Sequence, residues 1–231
     1  MAREKLRVHF SIDDVIMTLR WAYRNEPASI FDMKFFSALR EWNKKYGLKV
    51  TLYMFFSDGT SFDITMLQEK YVSELKKEKD WLKIAYHGIY GERYVENADR
   101  FKSEMWKFDN VWRDMGSQTV RLHGWQSPVS AKELKDCFGV ERLLCPYEKR
   151  ERIYDLTEDE INMVLKRKLI RKNGVTYRKT DISCDFCKNV NELAKQIIMD
   201  KEVVAFVHEW RFEEQKNIIE EFMQGVNEFE Y

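Results

Sequence analysis

Proline is nearly absent, with three residues in 231, and neither these nor the nine glycines gather into a Pro/Gly/Ser-rich linker. With no seam of that kind, and a length that can bury a sizeable core, one α/β domain over residues 1–231 is expected. Charge of one sign is lacking too. Thirty-nine Lys and Arg balance thirty-nine Asp and Glu, so the whole-chain charge gives no reason to expect nucleic acid or an anionic membrane as partner. No window approaches the roughly 18 consecutive apolar residues of a membrane span. The opening Met1-Ala2-Arg3-Glu4-Lys5 is charged rather than leader-like, so a cytoplasmic location is expected.

Cysteine is equally sparse. Four residues do not make a disulfide framework, and Cys184 and Cys187 form a lone C-x-x-C that lacks the second pair of a zinc ribbon. Cys137 and Cys145 are wrongly spaced to supply that pair, and all four are read as thiols. Aromatics are plentiful, with seven Trp, eleven Tyr and fifteen Phe. Some belong to a core, and rings beside a cleft suit stacking on a sugar face.

The chain is organised around Val8-His9-Phe10-Ser11-Ile12-Asp13-Asp14-Val15. Apolar and β-branched residues run straight into two acids, which reads as a buried first strand with a carboxylate pair at its C-terminal end. Neighbouring side chains on an extended chain point apart, so one acid can face a metal and the other a substrate or water. Alternatively the pair only turns the chain or caps the segment after it.

A linking segment then leads to a helix start at Ser29-Ile30-Phe31-Asp32, and Phe31, Phe35, Leu39, Trp42 and Tyr46 recur at helical spacing up to Gly47. Further strands are expected at Lys49 to Phe56, Trp81 to Tyr86, Thr119 to His123, Val140 to Cys145 and Val203 to Val207. Helices are expected around Met66 to Lys77, Ala98 to Trp112, Lys132 to Cys137, from Thr157 onward, around Val190 to Met199 and over Phe212 to Met223. Leu169 to Arg178 reads as a hairpin turning at Asn173-Gly174. This alternation predicts parallel strands, in a barrel or an open doubly wound sheet.

Only four histidines exist, and His87, His123 and His208 all fall at C-terminal strand ends, as do Asp13 and Asp14. Active sites of both architectures are built there. His9, inside the first strand, reads as structural. Arg121 and His123 are two apart and are expected to share a strand face.

Phe10-Ser11-Ile12-Asp13-Asp14 resembles the first motif of the NodB-type polysaccharide deacetylases, Thr/Ser-Phe-Asp-Asp-Gly. His87 is similar to the start of the second, His-x-x-x-His. Arg121 through Pro128 is similar to the third, and Val207-His208 to the closing hydrophobic-His motif. The ordered set covers most of the chain and looks nearest to the divergent WbmS-like branch, linked to cell-surface polysaccharide biosynthesis.

The resemblance implies a distorted seven-stranded (β/α) barrel and metal-dependent removal of an N- or O-acetyl group from a sugar or polysaccharide precursor. It implies Asp14 and His87 as metal ligands, Asp13 as general base, Arg121 as its orienting partner and His208 as general acid. Zinc is the metal expected, with cobalt or nickel in its place. Trp125 and Trp210, beside strand-end histidines, are candidate sugar platforms or plain packing.

Two departures stand out. Val15 replaces the Gly after the Asp pair, and Gly91 occupies the place of the second His. A third ligand would then come from Glu92 or His123. Without one, a catalytically silent glycan-binding member of the fold is the alternative, beside another metal-dependent amide hydrolase.

Overall fold

A computed structural model describes residues 6–91, 97–189, 202–226 and 228–231. At its centre lies β1 (Arg7–Val15), whose Val8, Phe10 and Ile12 are fully buried. Each such side chain contributes roughly 1.5–3 kcal/mol on burial. On one side β1 pairs in parallel with β2 (Val50–Phe55), itself beside β3 (Leu82–Gly88). On the other it pairs with β9 (Glu202–His208), itself beside β8 (Ile182–Ser183), while β10 (Glu228–Phe229) adds to the start of β1. These make one six-stranded parallel sheet.

A second, four-stranded sheet takes β4 (Thr119–Val120), β5 (Arg142–Cys145), β7 (Val175–Lys179) and β6 (Leu169–Lys172) in that order. Within it, only β6 and β7 run antiparallel. Asn173 and Gly174 both take positive φ between them, the turn that Asn-Gly favours. The sheets touch where Ser117 N donates to Ile84 O (2.9 Å), and across Thr180 and Asp181, whose amides reach Cys145 O (3.0 Å) and Val204 O (2.9 Å).

The parallel α/β expectation therefore stands, while among the described residues the strands form a six-stranded and a four-stranded sheet rather than one continuous seven-stranded ladder. The strands fall into two hydrogen-bonded ladders; β4 has only two residues, and an isolated parallel bridge between Ile84 and Gly116 lies just before it. After Val120 the chain leaves the sheet for a 3-10 turn at His123–Trp125, so Arg121 and His123 do not share a strand face as the spacing suggested.

Around the sheets lie α1 (Met17–Asn25), α2 (Lys34–Tyr46), α3 (Glu69–Lys76), α4 (Ala98–Trp112), α5 (Ala131–Phe138), α6 (Glu158–Arg167) and α7 (Phe212–Met223). The aromatic stripe of α2 buries Phe35 and Trp42 against Phe212 of α7, with ring centroids 4.9 and 5.4 Å apart. Gly47, at φ 68°, ends that helix in the left-handed conformation glycine tolerates best. The cap at Ser29 and Asp32 opens a 3-10 turn, and α2 begins only at Lys34.

The segment after the acid pair is itself a helix, α1, with no capping side chain of its own. Its first amides are met instead by the buried Glu209 carboxylate, which accepts from Ile16 N (2.9 Å), Met17 N (2.8 Å) and Thr18 N (2.7 Å). The expected helix at 190–199 lies outside the described residues. Among the described residues, no helix is long and apolar enough to cross a membrane.

Candidate active site

The register of β1 against β2 shifts between Ile12 and Val15, and Asp14 sits at φ 60°. Such a bulge re-aims side chains, and a left-handed non-glycine residue stores strain that the surroundings must hold. Its effect is to turn the two acids apart. Asp13 is buried, while Asp14 stays partly open.

Asp13 pairs with Arg121, whose Nη1 donates to Oδ2 at 2.7 Å, and the hydroxyl of Ser11 donates to Oδ1 at 3.3 Å. Arg121 Nη2 donates to Thr180 Oγ1 (3.0 Å), and the guanidinium lies 4.4 Å from the Phe206 ring centroid. Both side chains of the pair are 2% exposed, so neither charge has water to fall back on.

Asp14 is the hub. Its Oδ1 faces His87 Nε2 at 3.1 Å and His123 Nε2 at 4.0 Å, and its Oδ2 faces His208 Nε2 at 3.8 Å and accepts from Trp210 Nε1 at 3.2 Å. Burial raises the Asp14 pKa, but the His87 hydrogen bond and the charges of His87, His208 and His123 outweigh it and hold the carboxyl well below its usual range.

His87 Nδ1 lies 2.5 Å from Arg121 O, a carbonyl that can only accept, so Nδ1 carries a proton. The opposite nitrogen then points at a carboxylate, an arrangement that needs a positive charge between the two, either a proton or a cation. The Phe55 ring packs on the rings of both His87 and His123, at 5.1 Å each.

Across the ladder from Asp13 stands His208, its register partner on β9. Asp185 holds it. The Oδ1 of that acid accepts from His208 N (2.8 Å), and Oδ2 meets Nδ1 at 2.7 Å and accepts from Ser183 Oγ at 2.9 Å. Burial lowers the His208 pKa, but the Asp185 hydrogen bond and the charges of Asp13, Asp185 and Asp14 raise it more, leaving it above its ordinary value. Asp185 ends below its ordinary value, since the His208 contacts outweigh its own burial. Sequence reasoning named only the C-x-x-C around Asp185 and not the acid itself; its signal was its place just past the short strand Ile182–Ser183.

Asp13, His87, His123, Asp185 and His208 line a cleft of about 1020 Å³, which Asp14 adjoins through its contacts with His87 and Trp210. Its walls include Trp125, Arg150, Tyr147 and Phe186, with the Arg150 guanidinium 5.3 Å from the Trp125 ring centroid. Trp210, half exposed, stacks on His208 at 5.2 Å and 25°. His9 is buried away from this cluster, and burial, with nearby arginines, lowers its pKa to about 3, so it is a neutral structural residue.

Of the two candidate third ligands, Glu92 lies outside the described residues. His123 approaches Asp14 but, among the described residues, no group of three or more His, Cys, Asp or Glu is arranged to hold a metal ion. The donor types do fit one. Asp14 offers a carboxylate oxygen and His87 an imidazole nitrogen whose partner nitrogen is fixed on a backbone carbonyl, the usual outer support of a metal-binding histidine.

No family model and no curated protein matches the chain. Among solved structures, it is similar to 4-α-glucanotransferase from Thermococcus litoralis, with a TM-score of 0.58 and 13% identity, covering 99% of this chain and 40% of that one. It also resembles the Bc1960 peptidoglycan N-acetylglucosamine deacetylase, with a TM-score of 0.47 and 11% identity, covering 97% and 85%. The chain thus spans 40% of the glucanotransferase's length, and the likeness to it is one of fold alone.

Proposed function

We propose that the cleft is the active site of a metal-dependent hydrolase that removes an acetyl group, N- or O-linked, from a sugar or polysaccharide precursor. The observation that carries this reading is the placement of Asp13 and His208 as cross-strand partners beside the Asp14–His87 pair. An acid and an imidazole are then available on either side of one polar centre. The order of the motifs along the chain, which resembles NodB-type deacetylases and their WbmS-like branch, supports it.

Asp14 and His87 would hold a divalent cation, zinc in the first instance. When bound, such an ion polarises an acyl oxygen and makes nearby water more acidic. Asp13, oriented by Arg121 and Ser11, takes the proton from the attacking water. His208 keeps a proton through its raised pKa and delivers it to the departing nitrogen or oxygen, while Asp185 fixes its ring. Trp210 and Trp125 offer apolar faces to a sugar ring beside the cluster.

The test is acetate release from N-acetylglucosamine oligomers by zinc-loaded protein. Release that disappears in Asp13→Asn supports the proposal. Sugar binding without metal or acetate release would leave a silent glycan-binding module, and phosphate release from phosphoesters in place of acetate would mark a different hydrolase.

A further inference from the structure

Asp14 Oδ2 has two suitors. The indole nitrogen of Trp210 is at 3.2 Å, within hydrogen-bonding range, and His208 Nε2 is at 3.8 Å, outside it. An indole N–H can only donate, so the direction of the first contact is fixed, with the Asp14 carboxylate as its acceptor. The same indole stacks on the His208 ring.

We infer that Trp210 is a positioning residue that keeps Asp14 and His208 from pairing with each other. Its N–H occupies Oδ2 and leaves Oδ1, the oxygen facing His87 and His123, as the one presented to a cation. Its ring braces the His208 imidazole, whose Nδ1 is already held by Asp185, so that Nε2 remains open to the cleft rather than closing on Asp14. Without the indole, Oδ2 is left facing His208 Nε2, 3.8 Å away, and closure of that short gap would engage both atoms with each other. This role is additional to stacking on sugar, and its zinc arm rests on the metal reading proposed above.

Two measurements decide it. In metal-free protein, the Trp210 indole ¹H–¹⁵N cross-peak, assigned by its loss in Trp210→Phe, is expected to move upfield in Asp14→Gly, a substitution that suits φ 60°. A peak that stays in place overturns the inference. In the second, zinc is titrated against a chromogenic chelator. Trp210→Phe keeps a ring on His208 but no donor, and is expected to bind zinc 10–100-fold more weakly, the usual loss on removing an outer hydrogen-bond partner. Trp210→Ala should match that loss and also remove the ring-current shift of the His208 Cε1 proton, which Trp210→Phe retains. Zinc affinity unchanged in Trp210→Phe also overturns it. A wild-type protein that takes up no zinc counts against the metal site alone, and the metal-free spectrum then decides the role of Trp210.

Discussion

Asp185 grips His208 at two points, its backbone amide and its Nδ1, so one buried carboxylate sets both where the strand end lies and which way its imidazole turns. The consequence is a pH signature. A histidine whose pKa is raised on folding contributes stability that is fully present below its unfolded value of about 6.5 and is lost as pH rises through the higher folded value. Asp185, lowered on folding, contributes stability present above about 3.9 and lost as pH falls through its folded value. The destabilisation caused by Asp185→Asn should thus be greatest between about pH 4 and 6.5 and shrink at higher pH. Urea midpoints across that range check it, and an NMR titration should show the His208 pKa falling in the variant.

Removing Arg121 strands a carboxylate that is 2% exposed. Arg121→Ala is expected to cost about 3–5 kcal/mol, as when one partner of a buried ion pair is deleted. Arg121→Lys should recover only part of that, since it restores charge without the fork that spans Asp13, Ser11 and Thr180. Urea denaturation measures both, and a wild-type midpoint for the alanine variant would show that the pair is not needed for stability.

The proposed division of labour between the two acids separates metal binding from turnover. Asp14→Gly and His87→Ala should each lose zinc by elemental analysis. Asp13→Asn should keep its zinc and lose about 10²–10⁴-fold in rate, the usual weight of a general base. Full zinc content in the first two variants would remove Asp14 and His87 from the ligand set.

Glu209 offers a test of the architecture that needs no substrate. Glu209→Ala leaves three amides at the start of α1 without their acceptor and should cost about 1–3 kcal/mol. Burial raises the Glu209 pKa despite the hydrogen bonds from Thr18, Ile16 and Met17, so its contribution is largest below about pH 4.3 and declines as pH rises through the folded value. Glu209→Gln, which keeps an acceptor oxygen and buries no charge, should therefore lose less at neutral pH. Thermal and urea unfolding of the two variants at pH 7 provide the comparison.

The positions of Asp13, Asp14, His87 and His208 were legible because each ends a run of apolar residues, a pattern written locally in the chain. Asp185 was not, since the strand before it, β8, has only two residues and announces itself weakly. Helix α1 escaped for another reason. It buries only Leu19 and Ala22 and takes its cap from a residue 193 positions away, so no local cap marks it. The strand expected over Thr119 to His123 ends at Val120, and Arg121 just beyond it turns its guanidinium to the buried Asp13 carboxylate, a contact spanning 108 positions that spacing alone does not reveal. Trp210 read as a sugar platform or plain packing because it lies beside a strand-end histidine. Its hydrogen bond to Asp14 spans 196 positions and is visible only in three dimensions.

The Glu209 contact also sets a timetable. Synthesis proceeds from the N-terminus, and the amides of Ile16, Met17 and Thr18 are made early, yet their acceptor is added 191 to 193 residues later. Until that carboxylate emerges from the ribosome, the turn next to the acid doublet has no anchor. The nascent chain cannot cap α1 in this way before β9 has been translated, so this contact, of very long range, forms late.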